Sequence, residues 1–164
     1  MSTWSLELLY KTIIQPHFDY CSTVMYGINE ADKSALQYLQ NKGMRLILKC
    51  NRYTKIESML EVLNWMCVRK RLEYNTFIFV YKLKNNILPV YFSKFMYFNN
   101  NVHNFNTRNK DNFSIGFKNK TSTQKSVFCF GLRKFDELPN AIKGTHNLSL
   151  FKRKCAKYIL SMTV

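Results

Sequence analysis

Two cationic runs, Arg69-Lys70-Arg71 and Lys152-Arg153-Lys154, and one polar stretch that still carries rings, "HNFNTRNKDNF" from His103 to Phe113, are the residues of this chain whose types and spacing bear on chemistry. A run of guanidinium and ammonium groups attracts phosphate oxygens and fixes position on a polynucleotide without reading its sequence. The same run serves equally as a solvated helix face, and both readings stand. In the polar stretch, His103, Phe105 and Phe113 offer planes for stacking on bases, while Arg108 and Lys110 offer charge to phosphates. Asparagine amides match base edges, and together these groups form the combination that takes single strands. The alternative is an ordinary connection, because Asn is one of the residues that turns require.

Constellations for catalysis are missing from the sequence. The only adjacent acids, Asp136 and Glu137, sit in an amphipathic segment before Pro139 and read as a solvated helix end. No paired-Asp motif for two magnesium ions occurs, and the five glycines stand too far apart for a phosphate-cradling loop. His17, His103 and His146 lie apart, and no Cys stands at ligand spacing from a His. A Cys21 and His17 dyad lacks an orienting third group, so His17 reads as a packed or capping histidine. The expectation is no catalytic residue, no metal, no cofactor and no small-molecule substrate. The expected partner is a nucleic acid, RNA or DNA, met through its backbone.

Bulk composition agrees with a binding role. The chain has 164 residues, 46% of them hydrophobic, with 13 Phe, 10 Tyr and 2 Trp, enough to bury a core in one domain or slightly more. The net charge of +15 is unevenly spread: −2 over residues 1–40, +8 over 41–100 and +9 over 101–164. Attraction to a polyanion therefore belongs to the last three quarters of the chain. Five scattered cysteines without a CxxC pair point to a reducing, intracellular compartment, cytoplasmic or nuclear. Three N-x-S/T sequons, at Asn112, Asn119 and Asn147, arise readily in an Asn-rich chain. No apolar run approaches the roughly 20 residues that span a bilayer, so no membrane is expected.

Periodicity predicts a mainly α chain that must position these groups. Leu6, Leu9, Ile13 and Ile14 share one face of a first helix that Pro16 ends or kinks. Asp32 is placed to cap a second helix with Leu36, Leu39, Ile47 and Leu48 near one stripe, and Gly43 in its middle either costs about 1 kcal/mol against Ala or lets another helix approach closely. Thr54 and Glu57 have capping-box spacing ahead of a short helix over about 55–62. Residues 68–84 carry Val68, Leu72, Phe79, Val80 and Leu83 at mostly helical intervals; β-branched and aromatic content keeps a strand in view, but 17 residues is long for one. Asn85 and Asn86 stop that helix, and "PVYFSKFM" predicts a short one with Pro89 in its first turn. Eight of the 21 residues from 99 to 119 are Asn, which predicts a long irregular connection or a weak hairpin around "FSIGFKNK". "SVFCFGLRKFDELP" predicts a helix ended by Pro139. "NLSLFKRKCAKYIL" predicts another, capped by Asn147 or Ser149, with Leu148, Phe151, Cys155, Tyr158 and Ile159 inward. Four parts follow: helices over 1–52, a basic helical region over 53–98, an Asn-rich polar loop or hairpin over 99–126, and C-terminal helices over 127–164.

The order of these pieces carries a resemblance. "LYKTIIQPHFDYCSTVMYG", "LQNKGMRLIL", "YTKIESMLEVLNWMCVRKRLEYNTFIFVYKLKNNILPVYF", "HNFNTRNKDNF" and "FGLRKFDELPNAIKGTHNLSLFKRKCAKYIL" in succession resemble the C-terminal part of the polymerase protein, a reverse transcriptase, of non-LTR retrotransposons, jockey-like elements included. The likeness runs over about residues 6–160. It implies that 1–52 is similar to the end of a polymerase thumb, and the rest to the basic region after it that handles template RNA and target DNA. The family's catalytic carboxylates lie upstream, in a palm with a paired-Asp motif. The resemblance therefore implies a non-catalytic fragment of an RNA-directed DNA polymerase, with the palm as a missing partner. Met25 and Phe135 stand where family members often carry Trp, which fits a diverged copy. Two rival expectations remain: a helical protein-interaction module, and a retroelement remnant without function.

Overall fold

Ser2 opens the first helix, its hydroxyl accepting the Ser5 N–H at 3.1 Å, the way a serine satisfies an orphan donor of a first turn. The computed structural model describes residues 1–99, 112–116 and 118–162. The chain is mainly α-helical, and the described residues contain no strand, only one isolated antiparallel bridge, Phe98 with Phe113. It folds as two units, Met1–Leu72 and Glu73–Val164.

In the first unit, α1 (Thr3–Leu9) runs through a π-helical turn (Tyr10–Ile14) into α2 (Gln15–Asp19), and a short α3 (Ser22–Met25) follows. Pro16 does not end the helix. It sits in the first turn of α2, where its missing N–H costs little, and the wider turn before it takes up the misfit. That turn also sets which face is covered. Tyr10 is buried, whereas Leu9, Ile13 and Ile14 are exposed, contrary to the expected stripe. The Tyr10 ring packs on Gly43 of α4 (Glu30–Leu48), where a Cβ would come within 2.5 Å of ring carbon Cε2 and 2.9 Å of Cδ2. The same ring stacks on Trp65, with centroids 4.5 Å apart. The space at Gly43 is thus taken by an aromatic side chain rather than by the backbone of another helix. Burial pushes the Tyr10 phenol above its ordinary range, against the pull of nearby Arg71.

Asn29, not Asp32, caps α4: its side-chain oxygen accepts the Asp32 N–H at 2.7 Å. The face α4 turns inward is Gln40, Asn41, Met44 and Ile47, while Leu39 is exposed. Polar groups are buried here because another helix start needs them. Gln37 Oε1 accepts the Val68 N–H at 2.8 Å, the first residue of α6 (Val68–Lys84), and Gln40 Nε2 donates to the Met66 carbonyl at 2.9 Å. Between them lies α5 (Ile56–Leu63), whose cap position is Lys55 with no side-chain bond, so the Thr54 and Glu57 capping box does not form.

The second unit is built on the rest of α6. Phe77, Val80, Tyr81 and Leu83 are buried, and Asn86 stops the chain beyond the helix end with φ of 54°. A 3-10 turn (Val90–Phe95) begins after Pro89, tighter than the α-helix expected there. The Phe98 and Phe113 pairing joins 97–99 to 112–114, so the start of "FSIGFKNK" pairs with a segment about 15 residues upstream of it. Short α7 (Thr121–Gln124), a π-helical turn (Val127–Gly131), α8 (Leu132–Asp136) and α9 (Asn140–Lys143) lead to α10 (Leu148–Ser161). Asn147 caps α10, accepting from Ser149 and Leu150 N–H at 2.8 and 3.2 Å. Phe151, Cys155 and Ile159 recur every four residues and are fully buried, a stripe that holds α10 on the core. Phe151 stacks on Tyr81 at 4.1 Å, and the Tyr81 hydroxyl donates to the Thr145 carbonyl at 2.7 Å, so the ring buries its area without orphaning its polar end.

Candidate nucleic-acid interface

With Phe151, Cys155 and Ile159 directed inward, the 3.6-residue period turns Lys152, Arg153 and Lys157 to solvent. All three are exposed and make no ion pair among the described residues, and α10 contains no acid. Lys154 is different. Its Nζ donates to the Ala141 carbonyl at 3.1 Å and reaches the Thr145 hydroxyl at 3.4 Å, so it ties α9 to α10. Of the second cationic run, two members face outward together and the third is structural. Lys157 joins them, although sequence reasoning passed over it. The signal was its i,i+4 spacing from Arg153.

The first run is answered by acids in its own unit. Arg71 donates from Nε to Asp19 Oδ1 and from Nη2 to Oδ2, both at 2.6 Å, the fork-on-fork geometry that makes such pairs strong. The Gln15 amide oxygen, in the orientation that satisfies both partners, accepts from Arg71 Nη1 at 3.1 Å. Arg69 pairs with Glu30, which also takes Lys33 at 3.1 Å. The Lys33 hydrogen bond, supported by Arg69, holds the Glu30 carboxyl below its usual range. Lys70 is half-buried. A continuous run in sequence therefore faces three different surroundings in space.

His103, Phe105, Arg108 and Lys110 lie outside the described residues. Phe113, the last ring of that stretch, is buried, with its centroid 5.2 Å from Phe98 and 6.0 Å from Phe135, and is a core residue rather than a stacking plane for bases. Asp136 is likewise not a solvated helix end. It is half-buried, and its Oδ2 accepts the Phe113 N–H at 3.0 Å, clipping the bridge to α8. Burial raises its carboxyl above the ordinary aspartate range, with the Phe113 N–H, Lys143 and Lys84 opposing. Glu137 is exposed and pairs with Lys134 at 2.7 Å. His17 is exposed too, neither packed nor capping.

Among the described residues no group of three or more His, Cys, Asp or Glu is placed to hold a metal ion. Nor is any helix among them long and apolar enough to cross a membrane. The Cys155 thiol, buried against the core, is pushed up to about 12, which makes it an inert packing group rather than a nucleophile. Compared with protein-family models, curated proteins and solved structures, the chain matches none of them. Its function has to be argued from its own residues.

Proposed function

We propose that the chain is a non-catalytic element that holds RNA or DNA by the phosphate backbone, similar in its motif order to the part of non-LTR retrotransposon reverse transcriptases that follows the palm. The observation that carries this reading is the outer face of α10: Lys152, Arg153 and Lys157, exposed, unpaired among the described residues, on a helix without an acid. Polyanion attraction grows with the number of cations that are not already neutralised, and this face presents three of them on one helix. The surrounding unit strengthens it, because Glu73–Val164 contains 15 Lys and Arg against 4 Asp and Glu, a net of +11. Contacts of this type position a strand without reading its bases.

A salt titration tests the reading. Binding of a labelled single-stranded RNA should weaken linearly in log-log form. Replacing Lys152, Arg153 and Lys157 together by Gln should make the slope shallower by about 2, since each phosphate that a side chain neutralises contributes about 0.7. Absence of salt-dependent binding by the folded chain at low ionic strength would refute it. A second reading, a helical module for a protein partner, draws on the exposed apolar side chains of the first helical run, Trp4, Leu8, Ile13 and Ile14. It predicts self-association or capture of a protein surface instead of a polyanion preference, which light scattering with and without RNA separates.

A further inference from the structure

The 3-10 turn Val90–Phe95 holds an arrangement that phosphate binding does not use. Four rings follow one another across two segments: Tyr91 to Phe92 at 4.4 Å, Phe92 to Phe128 at 6.3 Å, and Phe128 to Phe95 at 4.8 Å between centroids. The inner rings, Phe92 and Phe128, are anchored from below by Phe79, which meets them edge-on at 5.6 and 6.1 Å. Both are packed against the core of the second unit. The outer rings are not covered. Tyr91 is 58% exposed and Phe95 53% exposed. A buried aromatic cluster normally closes over its own faces, whereas this one ends at both sides on rings open to solvent, each held in orientation by a fixed neighbour.

We infer that Tyr91 and Phe95 form a stacking platform for unpaired nucleobases, a base-contacting site beside the phosphate contacts of the proposed function, on which this inference rests. Charge selects the occupant. The turns that supply the row, Val90–Phe95 and Val127–Gly131, contain Lys94 and no Asp or Glu, in a unit whose net charge is +11. Lys94, between the two outer rings in the chain, is exposed and makes no ion pair among the described residues. Open rings on acid-free, cationic segments suit a strand that presents flat π-faces along a line of negative charge, and stacking tolerates any base. A duplex keeps its faces stacked on one another and has none to offer, so the platform takes single strands.

The test measures the full chain by fluorescence anisotropy against a labelled oligouridine and a duplex of equal length. Tyr91→Leu and Phe95→Leu remove the ring faces while keeping apolar bulk at exposed positions. Each should weaken oligouridine binding by about tenfold while leaving duplex affinity and the salt slope unchanged. Ultraviolet crosslinking of 4-thiouridine RNA to the unmodified chain gives an independent reading, with adducts expected at Tyr91 or Phe95. If the wild-type chain binds and the variants bind equally, or the adducts fall elsewhere, the platform is overturned while phosphate holding stands. Variants that keep RNA binding but abolish self-association would assign the rings to a protein contact and overturn it too. If the wild-type chain shows no salt-dependent RNA binding, the proposed function falls and the platform with it.

Discussion

Arg71 tests whether a cationic run acts as a unit. Its guanidinium makes two charge-assisted bonds to Asp19 at 2.6 Å, with side chains 28% and 36% exposed. An exposed ion pair contributes about 0.2–1 kcal/mol, and a hydrogen bond to a charged group in a drier site about 1.5–3 kcal/mol. Partial exposure places this pair between them, near 1–2 kcal/mol. In a unit of this size each kcal/mol shifts the melting midpoint by about 4–8 °C, so Arg71→Gln should lower it by roughly 5–15 °C. The assay is selective because both tryptophans, Trp4 and Trp65, lie in Met1–Leu72, so tryptophan fluorescence follows that unit. Arg71→Lys should lose most of the same stability, since an ammonium cannot reproduce the two-pronged contact. A double-mutant cycle with Asp19→Asn should return a coupling of about 1–2 kcal/mol. The salt slope for RNA should not change in Arg71→Gln. A slope shallower by about 0.7, with melting unaltered, would make Arg71 a phosphate contact and refute the argument.

Two further predictions concern packing and pH. Gly43→Ala gains about 1 kcal/mol of helix propensity, but its Cβ would meet the Tyr10 ring at 2.5 Å and push it off Trp65, an overpacking cost of about 1–3 kcal/mol. The net expectation in chemical denaturation is a neutral to destabilised protein; clear stabilisation would show that the ring moves freely. Asp136 binds its proton more tightly folded than unfolded, because burial raises its range. It therefore favours the fold below its unfolded value and withdraws that support as pH rises through the folded value. Asp136→Asn should flatten this dependence in acid-range denaturation curves while still accepting the Phe113 N–H. Asp136→Ala should cost about 1–3 kcal/mol by orphaning that donor. Equal stability of the two variants would remove the clip from the account.

What the sequence disclosed, and what it withheld, follows from the range of each interaction. α10 was legible because its cap, its apolar stripe and two of its outward cations, Lys152 and Arg153, lie within 15 residues, as was α6, whose 17 residues are long for a strand. α4 was legible as a helix but not in its rotation. Hydrophobicity favours burying Leu39, while the structure buries Gln40 and Asn41, because polar groups are needed near the start of α6. The inward turn of Tyr10 depends on Gly43 and Trp65 together, which no short window of the chain contains. Arg71 and Asp19 stand 52 positions apart, and nothing within Arg69-Lys70-Arg71 tells which of its members has a carboxylate waiting.

Formal charge and available charge are therefore different quantities in this protein. The ion pairs of Lys11, Lys33, Arg69 and Arg71 lie within Met1–Leu72, whose net charge is +4. Glu73–Val164 carries a net of +11, and there Lys134 pairs with Glu137. At physiological ionic strength a charge is felt over about 8 Å, so a cation already facing a carboxylate adds little to the field a polyanion meets. Counting lysines and arginines along the sequence treats both cationic runs alike. Locating their carboxylates assigns Arg69 and Arg71 to intramolecular pairs, while Lys152, Arg153 and Lys157 face solvent without an ion pair among the described residues.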